Sequence, residues 1–274
     1  MKKIKYDLAF SLGSACSCTS ALRAAGLQFA SFPFDWLFGT DLPGRVRPIV
    51  DDFKAWLDAS SLRTISPPSW HHLAIYENTR TGIVFNHDFP QNVPLADCID
   101  RVAEKYNRRI ERLKRLIEMS KRVLAVFVST PLDALISDDV LKDCQARLAA
   151  KFAGRQVDLL YFHCQRGRSP READVRSLSD GAVTVVSFDY GVTKKVHYDY
   201  EIDTATVAKW LAKRYAVADY RTPEERAAYE AARRRALLKK YNAKNRYELF
   251  VNRLVYRFYR HFQKCVERKG KKCE

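Results

Sequence analysis

The sequence lacks an apolar run long enough to span a membrane. Its longest apolar stretches, such as residues 123–128 (VLAVFV), have the length of a strand, whereas a spanning helix needs roughly 18 to 20 apolar residues. The opening residues MKKIKYDLAF contain lysines, but Asp7 interrupts the apolar stretch that a secretion signal would require. We therefore expect a cytoplasmic protein, with any membrane contact peripheral and at the inner face.

Several signatures of metal and nucleotide binding are also missing. There is no CxxC pair, GxGxxG, P-loop or DxD pair, so the sequence gives no indication of a zinc site or a cofactor. A disulfide scaffold is not expected either, because the sequence has no export signal and an odd number of cysteines. We treat all seven cysteines as reduced thiols: Cys16, Cys18, Cys98, Cys144, Cys164, Cys265 and Cys273.

Apolar segments of strand length alternate with helical patterns along much of the chain. Residues 5–12, 123–130, 157–164 and 182–190 are predicted strands, and residues 81–88 are a predicted short strand. Helices are predicted over residues 15–25, 46–57, 95–120 and 138–153, while residues 29–44 and 61–80 are expected to be irregular. This alternation predicts an α/β fold with a mostly parallel central sheet flanked by helices.

Positive charge is concentrated near the C-terminus. The whole chain has a net charge of +16. Residues 206–274 contain 20 Lys and Arg against 7 Asp and Glu, whereas residues 1–205 contain 28 against 25. This asymmetry predicts an α/β domain over residues 1–205 and a basic helical extension over residues 206–274, with an anionic partner for the extension.

The extension is predicted to contain two helices, one starting at Thr222-Pro223 and one over residues 246–268. The second has aromatic side chains on one face and arginines on another. Three alternatives remain open: the aromatic face packs on the domain, residues 246–272 lie on an anionic membrane surface, or they bind nucleic acid. Nucleic acid is the least favoured partner, because the sequence has no nucleic-acid-binding motif.

Cys16 is the first candidate for a reactive residue. It follows the first predicted strand and lies in the first turn of a predicted helix, where backbone N–H groups and the helix dipole favour a thiolate. The N–H groups from Ser14 to Ser17 are candidate donors to an oxyanion. The alternative is that Cys16 packs beneath the helix, as we expect for Cys18.

His87, in the sequence FNHDF, is the candidate base for that cysteine. A catalytic cysteine needs a base within hydrogen-bond reach, and the base needs an orienting group. Asp35 and Asp88 are the candidates for this third role, although Asp88 would point away from the base in an extended segment. Three further histidines are weaker candidates for the base or are expected to be structural: His71, His72 and His163.

Four short motifs in order resemble the papain-like cysteine peptidase family catalogued as domain of unknown function 1796. They are SLGSAC, ending at Cys16; PFDW, residues 33–36; HDF, residues 87–89; and RRIxR, residues 108–112. The resemblance extends from about residue 6 to residue 190. It implies a cysteine nucleophile at Cys16 and a role in bacterial surface-polysaccharide metabolism. Cys16 and His87 follow the papain order, but the βα pattern downstream is not the architecture of papain.

Arg108, Arg109 and Arg112 lie on one predicted helix, and the last two can share a face. An arginine turned toward the site would bind a phosphate or carboxylate with two hydrogen bonds. The alternative is a solvated charged face. Arg109 and Arg112 therefore join Ser14 and Trp36 as predicted substrate-binding residues.

The sequence favours an enzyme, a cysteine-dependent hydrolase or acyl transferase acting on a peptide, acyl or glycan-linked substrate. Two alternatives remain open. One is a glycan-assembly enzyme that handles an activated sugar or phosphate, with Cys16 structural. The other is a non-catalytic module held to an anionic membrane or partner by its basic extension.

Overall fold

The structure is a computed structural model that describes residues 2–54, 56–65, 73–130, 133–165, 174–189 and 204–241. The chain divides into two compact units, Met1–Tyr220 and Arg221–Glu274. The first unit therefore extends past residue 205, the predicted end of the α/β domain.

The first unit contains both strands and helices. Its strands are β1 (Ile4–Tyr6), β2 (Leu8–Ser11), β3 (Leu37–Phe38), β4 (Leu62–Ile65), β5 (Leu73–Asn78), β6 (Ile83–Pro90), β7 (Arg122–Val128), β8 (Gln156–Gln165), β9 (Asp174–Leu178), β10 (Val183–Asp189) and β11 (Tyr215–Val217). Its helices are α1 (Cys16–Ala24), α2 (Leu42–Val50), α3 (Leu95–Glu118), α4 (Asp138–Lys151) and α5 (Thr204–Arg214). The chain is thus a mixed α/β protein.

A five-stranded sheet in the order β2-β7-β8-β10-β9 forms the centre of this unit. Strands β2, β7, β8 and β10 are parallel, and only the edge strand β9 runs antiparallel to its neighbour. The predicted mostly parallel sheet is therefore confirmed. Because β2 and β7 are parallel neighbours, the segments that follow Ser11 and Val128 leave the sheet at the same edge.

Both faces of this sheet are covered, as the continuous apolar strands require. Successive side chains of a strand point to opposite faces, so β7 contributes Val123, Ala125 and Phe127 to one core and Leu124, Val126 and Val128 to the other. The first core includes buried side chains of α2, α3 and α4, and the second includes those of α1 and α5. Helix α1 thereby lies on one face with its first residue at the carboxyl end of β2.

A second, antiparallel sheet in the order β3-β6-β5-β4 was only partly predicted. Residues 61–80, expected to be irregular, contain β4 and β5, which pair from Leu62–Asn78 to Ile65–Ile75. Neither strand shows a clear alternation of apolar and polar residues, because five of the six β5 side chains are only partly buried. Period-2 patterning is the signal that sequence analysis relies on, and it is weak here.

Helix α2 begins earlier and ends earlier than the predicted helix over residues 46–57. Asp41 caps its N-terminus by accepting a hydrogen bond from the Gly44 N–H at 2.9 Å, and a proline lies in the first turn. Asp52 and Phe53 have φ values of 54° and 58°, in the left-handed region that ends a helix. The cap and these two residues set the bounds of the helix.

The N-terminal strand predicted over residues 5–12 is two strands separated by Asp7. The Asp7 carboxylate accepts hydrogen bonds from the N–H groups of Lys121 and Arg122 at 2.8 and 2.9 Å. Strand β1 then pairs in parallel with β11, beyond residue 205. This pairing and the packing of α5 in the second core explain why the first unit continues to Tyr220.

In the second unit, the structure describes helix α6 (Pro223–Tyr241), which starts where the sequence predicts a helix. Thr222 and Glu225 form reciprocal hydrogen bonds at 3.0 and 3.2 Å, a capping box. The predicted helix over residues 246–268 and the proposed membrane contact of residues 246–272 lie outside the described residues. None of the helices in the described part of the chain is long and apolar enough to cross a membrane.

Candidate active site

Cys16 is the first residue of α1, directly after the turn that leaves β2. The residue before it, Ala15, makes no side-chain capping hydrogen bond, and the first turn contains no acidic residue. The positive end of the helix dipole is therefore not neutralised within α1, and that end favours a thiolate. Cys16 is also partly exposed.

The other four cysteines in the described ranges are buried. Burial raises the pKa of Cys18 and of Cys144 to about 12, and it also raises the pKa of Cys98 and Cys164. Cys18, two residues after Cys16, donates its S–H to the Val126 carbonyl at 3.4 Å. The structure therefore separates one partly exposed cysteine from four that are built into the core.

The turn between β2 and α1 is tight, and Gly13 is the residue that permits it. A Cβ at this position would lie 2.7 Å from the Cβ of Cys18 and 2.9 Å from the Ala15 carbonyl. The next residue, Ser14, is buried and donates its N–H to the Val128 carbonyl at 3.4 Å. That N–H, predicted as an oxyanion donor, is therefore used within the fold, and so is the Cys18 N–H of the first turn of α1, which donates to the Ala15 carbonyl at 3.3 Å.

Asp35, predicted to orient the base, is fully buried and joins α1 to residues 29–36, which we call the aromatic loop. Its carboxylate has four partners in the described chain: Thr19 Oγ1 at 2.8 Å, Gln28 Nε2 at 2.8 Å, the Phe32 N–H at 3.0 Å and Arg23 Nη2 at 3.4 Å. Burial raises the pKa of Asp35, although these partners act in the opposite direction. Through Thr19, Asp35 holds the helix that begins at Cys16.

His87 is exposed and lies in the centre of a β-bulge in β6. The pairing of β5 with β6 shifts between Ala74–Phe89 and Tyr76–Phe85, so three β6 residues face one residue of β5. The flanking Phe85 and Phe89 are both fully buried. A bulge of this kind can redirect a side chain. Here His87, in the bulge, is exposed, while Phe85 and Phe89 on either side of it are buried in the core.

The structure brings the turn before Cys16 close to the end of β3. Arg45 donates from Nη2 to the Ser14 carbonyl at 3.5 Å and to the Gly39 carbonyl at 2.8 Å. Gly39 follows Phe38, whose ring centroid lies 6.4 Å from that of His87. The segments carrying Cys16 and His87 are thus connected through one buried arginine and one aromatic contact.

Asp88, the other predicted orienting residue, is directed at helix α3. Its carboxylate forms an ion pair with Lys105 and accepts a hydrogen bond from the Tyr106 hydroxyl at 2.8 Å. Its side chain is only 3% exposed. Through these contacts Asp88 holds β6 to α3. Its carboxylate is buried against that helix and is not exposed beside His87.

Three predicted substrate-binding residues have partners within the fold. Trp36 is partly exposed, has a φ of 66° and lies with its ring 5.5 Å from the Arg23 guanidinium. Arg109 lies over the Tyr106 ring at 5.2 Å, and Arg112 donates to the Ser31 carbonyl at 2.9 Å. Arg112 therefore joins α3 to the aromatic loop, and Arg108 pairs with Glu104 on the exposed side.

The remaining histidine candidates are less informative. His163 is buried near the carboxyl end of β8, with Nδ1 3.3 Å from the Tyr161 hydroxyl. His71 and His72 lie outside the described residues. Across the described ranges, no group of three His, Cys, Asp or Glu side chains is arranged to hold a metal ion.

Sequence reasoning missed Arg45, although a signal for it exists. Leu42, Arg45, Val46 and Ile49 recur at the three- and four-residue steps of one helical face, and all four are buried. A charged residue on an otherwise apolar helical face is a departure from the usual pattern. A buried charge on such a face could have been read from the sequence as a sign that Arg45 makes specific polar contacts in the core.

A comparison with known families identifies a family for this chain. The family model described as "Putative papain-like cysteine peptidase", domain of unknown function 1796, matches residues 7–167. The chain belongs to this family, and the resemblance seen in its motifs is confirmed. No curated protein and no solved structure matches the chain.

Proposed function

Starting from this family membership, we propose that the protein is a cysteine-dependent acyl hydrolase or acyl transferase with Cys16 as nucleophile and His87 as base. One observation carries the proposal: Cys16 is partly exposed at an uncapped helix N-terminus, while the other four described cysteines are buried. An exposed cysteine at such a position has the two properties that a nucleophile needs, access and a favoured thiolate.

The reaction begins when His87 accepts the Cys16 proton. The Cys16 sulfur then attacks a carbonyl carbon, forming a C–S bond while the carbonyl π electrons move to oxygen. When the oxyanion collapses, the bond to the leaving group breaks, and the imidazolium of His87 returns its proton to that group. Water or another acceptor, deprotonated by His87, attacks the resulting thioester and releases Cys16.

Donors and anchors near Cys16 support these steps. First-turn N–H groups of α1 other than that of Cys18 are suitable donors to the oxyanion. Asp35 holds α1 through Thr19, so we assign it the positioning of Cys16. The orienting partner of His87 is left unassigned, because the Asp88 carboxylate is bonded to α3 and that of Asp35 to the aromatic loop and α1.

The proposed substrates are amides, esters or thioesters, since these present the carbonyl carbon that the mechanism needs. A peptide bond or an acyl group on a surface glycan would both qualify. The glycan context comes from the family resemblance, and the partly exposed Trp36, predicted from the sequence to bind substrate, is an aromatic residue suited to a sugar or peptide face.

The His87→Gln substitution should slow alkylation of Cys16 by iodoacetamide at least about tenfold at pH 7, because the thiolate loses its imidazolium partner. The rate should be followed for each cysteine by peptide mass spectrometry from pH 5 to pH 10. In the wild type, Cys16 should react fastest of the five described cysteines, with an apparent pKa below the roughly 8.5 of a free thiol.

Asn92→Ala is the matched control, because Asn92 is exposed just beyond the end of the same strand. It should leave the pH profile of Cys16 unchanged. A wild-type Cys16 whose rate follows an ordinary thiol pKa, or a profile that His87→Gln does not alter, would rule out the dyad.

A further inference from the structure

Arg45 is the largest side chain in the fully buried core, with no exposed surface. Its Nη2 atom donates hydrogen bonds to two main-chain carbonyls, those of Ser14 and Gly39. Its Nε and Nη1 atoms are buried and have no hydrogen-bond partner. Two of the three guanidinium nitrogens therefore lie in the core without an acceptor.

An acid that acts electrostatically on Arg45 is Asp133, whose carboxylate raises the pKa of Arg45 while it accepts a hydrogen bond from the Thr130 N–H. Within the described part of the chain, no carboxylate lies at ion-pair distance, and the guanidinium lies 5.7 Å from the Phe34 ring. Burial lowers the pKa of Arg45 to about 10, which leaves the group charged at neutral pH. Burying a charge without an ion-pair partner is costly.

The charge lies beside the turn that presents Cys16. Arg45 donates a hydrogen bond to the Ser14 carbonyl, and Cys16 follows Ser14 by two residues. Two residues of chain span at most about 7 Å, so the backbone of Cys16 lies within about that distance of the Ser14 carbonyl. The guanidinium itself is closed to solvent, so a dissolved ligand would not reach it without a rearrangement. An anion that forms on the protein, at the partly exposed Cys16, needs no such access.

We propose that Arg45 is a positioning residue that stabilises the Cys16 thiolate by its buried positive charge and fixes the nucleophile turn against the end of β3. This inference rests on the proposed function, in which Cys16 is the nucleophile and His87 the base. Arg45 would keep Cys16 ionised while His87 gains and loses its proton. The inference assigns the charge effect to Arg45 and the proton transfer to His87.

The two roles of Arg45 can be separated by the choice of side chain. Arg45→Met removes the charge and the hydrogen bonds and keeps an unbranched, adaptable side chain in the same space. Arg45→Gln removes the charge but keeps a donor for the carbonyls. Arg45→Lys keeps the charge and one donor.

The test is the apparent pKa of Cys16 alkylation by iodoacetamide in the full chain of these three variants. We expect Arg45→Met and Arg45→Gln to raise it by about one unit, the size of a charge effect over roughly 10 Å at an effective dielectric constant near 20. Arg45→Lys should stay close to the wild type. Slow alkylation of the buried Cys18 in each variant reports that the core is intact.

A folded Arg45→Met or Arg45→Gln variant with the wild-type pKa for Cys16 overturns the inference and leaves the dyad standing. The same conclusion follows if Arg45→Lys shifts the pKa as much as the neutral variants, because the charge would then not be the cause. An ordinary thiol pKa for Cys16 in the wild type instead overturns the proposed function. The two failures are therefore distinct.

Discussion

The Cys16→Ala variant should form no acyl-enzyme, with a loss of at least about 10³-fold in the rate of acylation. The reason is chemical: without the sulfur there is no atom in the site to form the C–S bond. Intact-mass spectrometry after incubation with p-nitrophenyl acetate measures this directly, because the wild type should gain one acetyl group. Peptide mapping should place that group on Cys16.

Cys18→Ala provides the matched control for this loss. The substitution is identical and lies two residues further along the same helix, but Cys18 is buried and bonded to the Val126 carbonyl. Acetylation of Cys16 should therefore continue at close to the wild-type rate. If Cys16→Ala gained the acetyl group as fast as the wild type, Cys16 would not be the nucleophile.

Asp35→Ala should destabilise the fold by about 3 kcal/mol, the largest stability effect expected at the site. Removal of this carboxylate leaves Thr19 Oγ1, Gln28 Nε2 and the Phe32 N–H without their acceptor. Each unsatisfied buried donor costs roughly 1 to 3 kcal/mol. Equilibrium unfolding in urea, monitored by circular dichroism, measures the change.

Asp51→Ala is the comparison for this prediction. Within the described ranges, the Asp51 carboxylate forms a surface pair with Arg47, at 3.8 Å and with both side chains more than half exposed. Its loss should change the free energy of unfolding by no more than about 0.5 kcal/mol. Equal effects of the two substitutions would show that Asp35 does not anchor the aromatic loop to α1.

The sequence predicts those parts of the fold that have a local signal, either a helical period or a continuous apolar run. Helix α3 was predicted over residues 95–120 and extends over Leu95–Glu118, because its apolar residues recur at three- and four-residue steps. The parallel strands were predicted from continuous apolar runs, and the structure buries both faces of β7. Family membership was likewise predicted from motifs that precede residue 113.

Other features depend on contacts between distant segments and have no local signal. The bulge around His87 arises from the pairing of β6 with β5, a strand whose own pattern is weak. The direction of the Asp88 carboxylate is set by Lys105 and Tyr106 on α3. Sequence analysis could name Asp35 and Asp88 as acids near the site but could not determine which side chains they contact.

The proximity of residues 16 and 87 tests the central claim most directly, because a thiolate and its base must meet. A His87→Cys variant, with Cys265 and Cys273 changed to Ser, should be treated with dibromobimane, which links two neighbouring thiols. We predict a cross-linked peptide pair containing residues 16 and 87, and no pair containing residues 16 and 92 in an otherwise identical Asn92→Cys variant. If both thiols of the His87→Cys variant react singly with the reagent and no link between residues 16 and 87 forms, the dyad is contradicted.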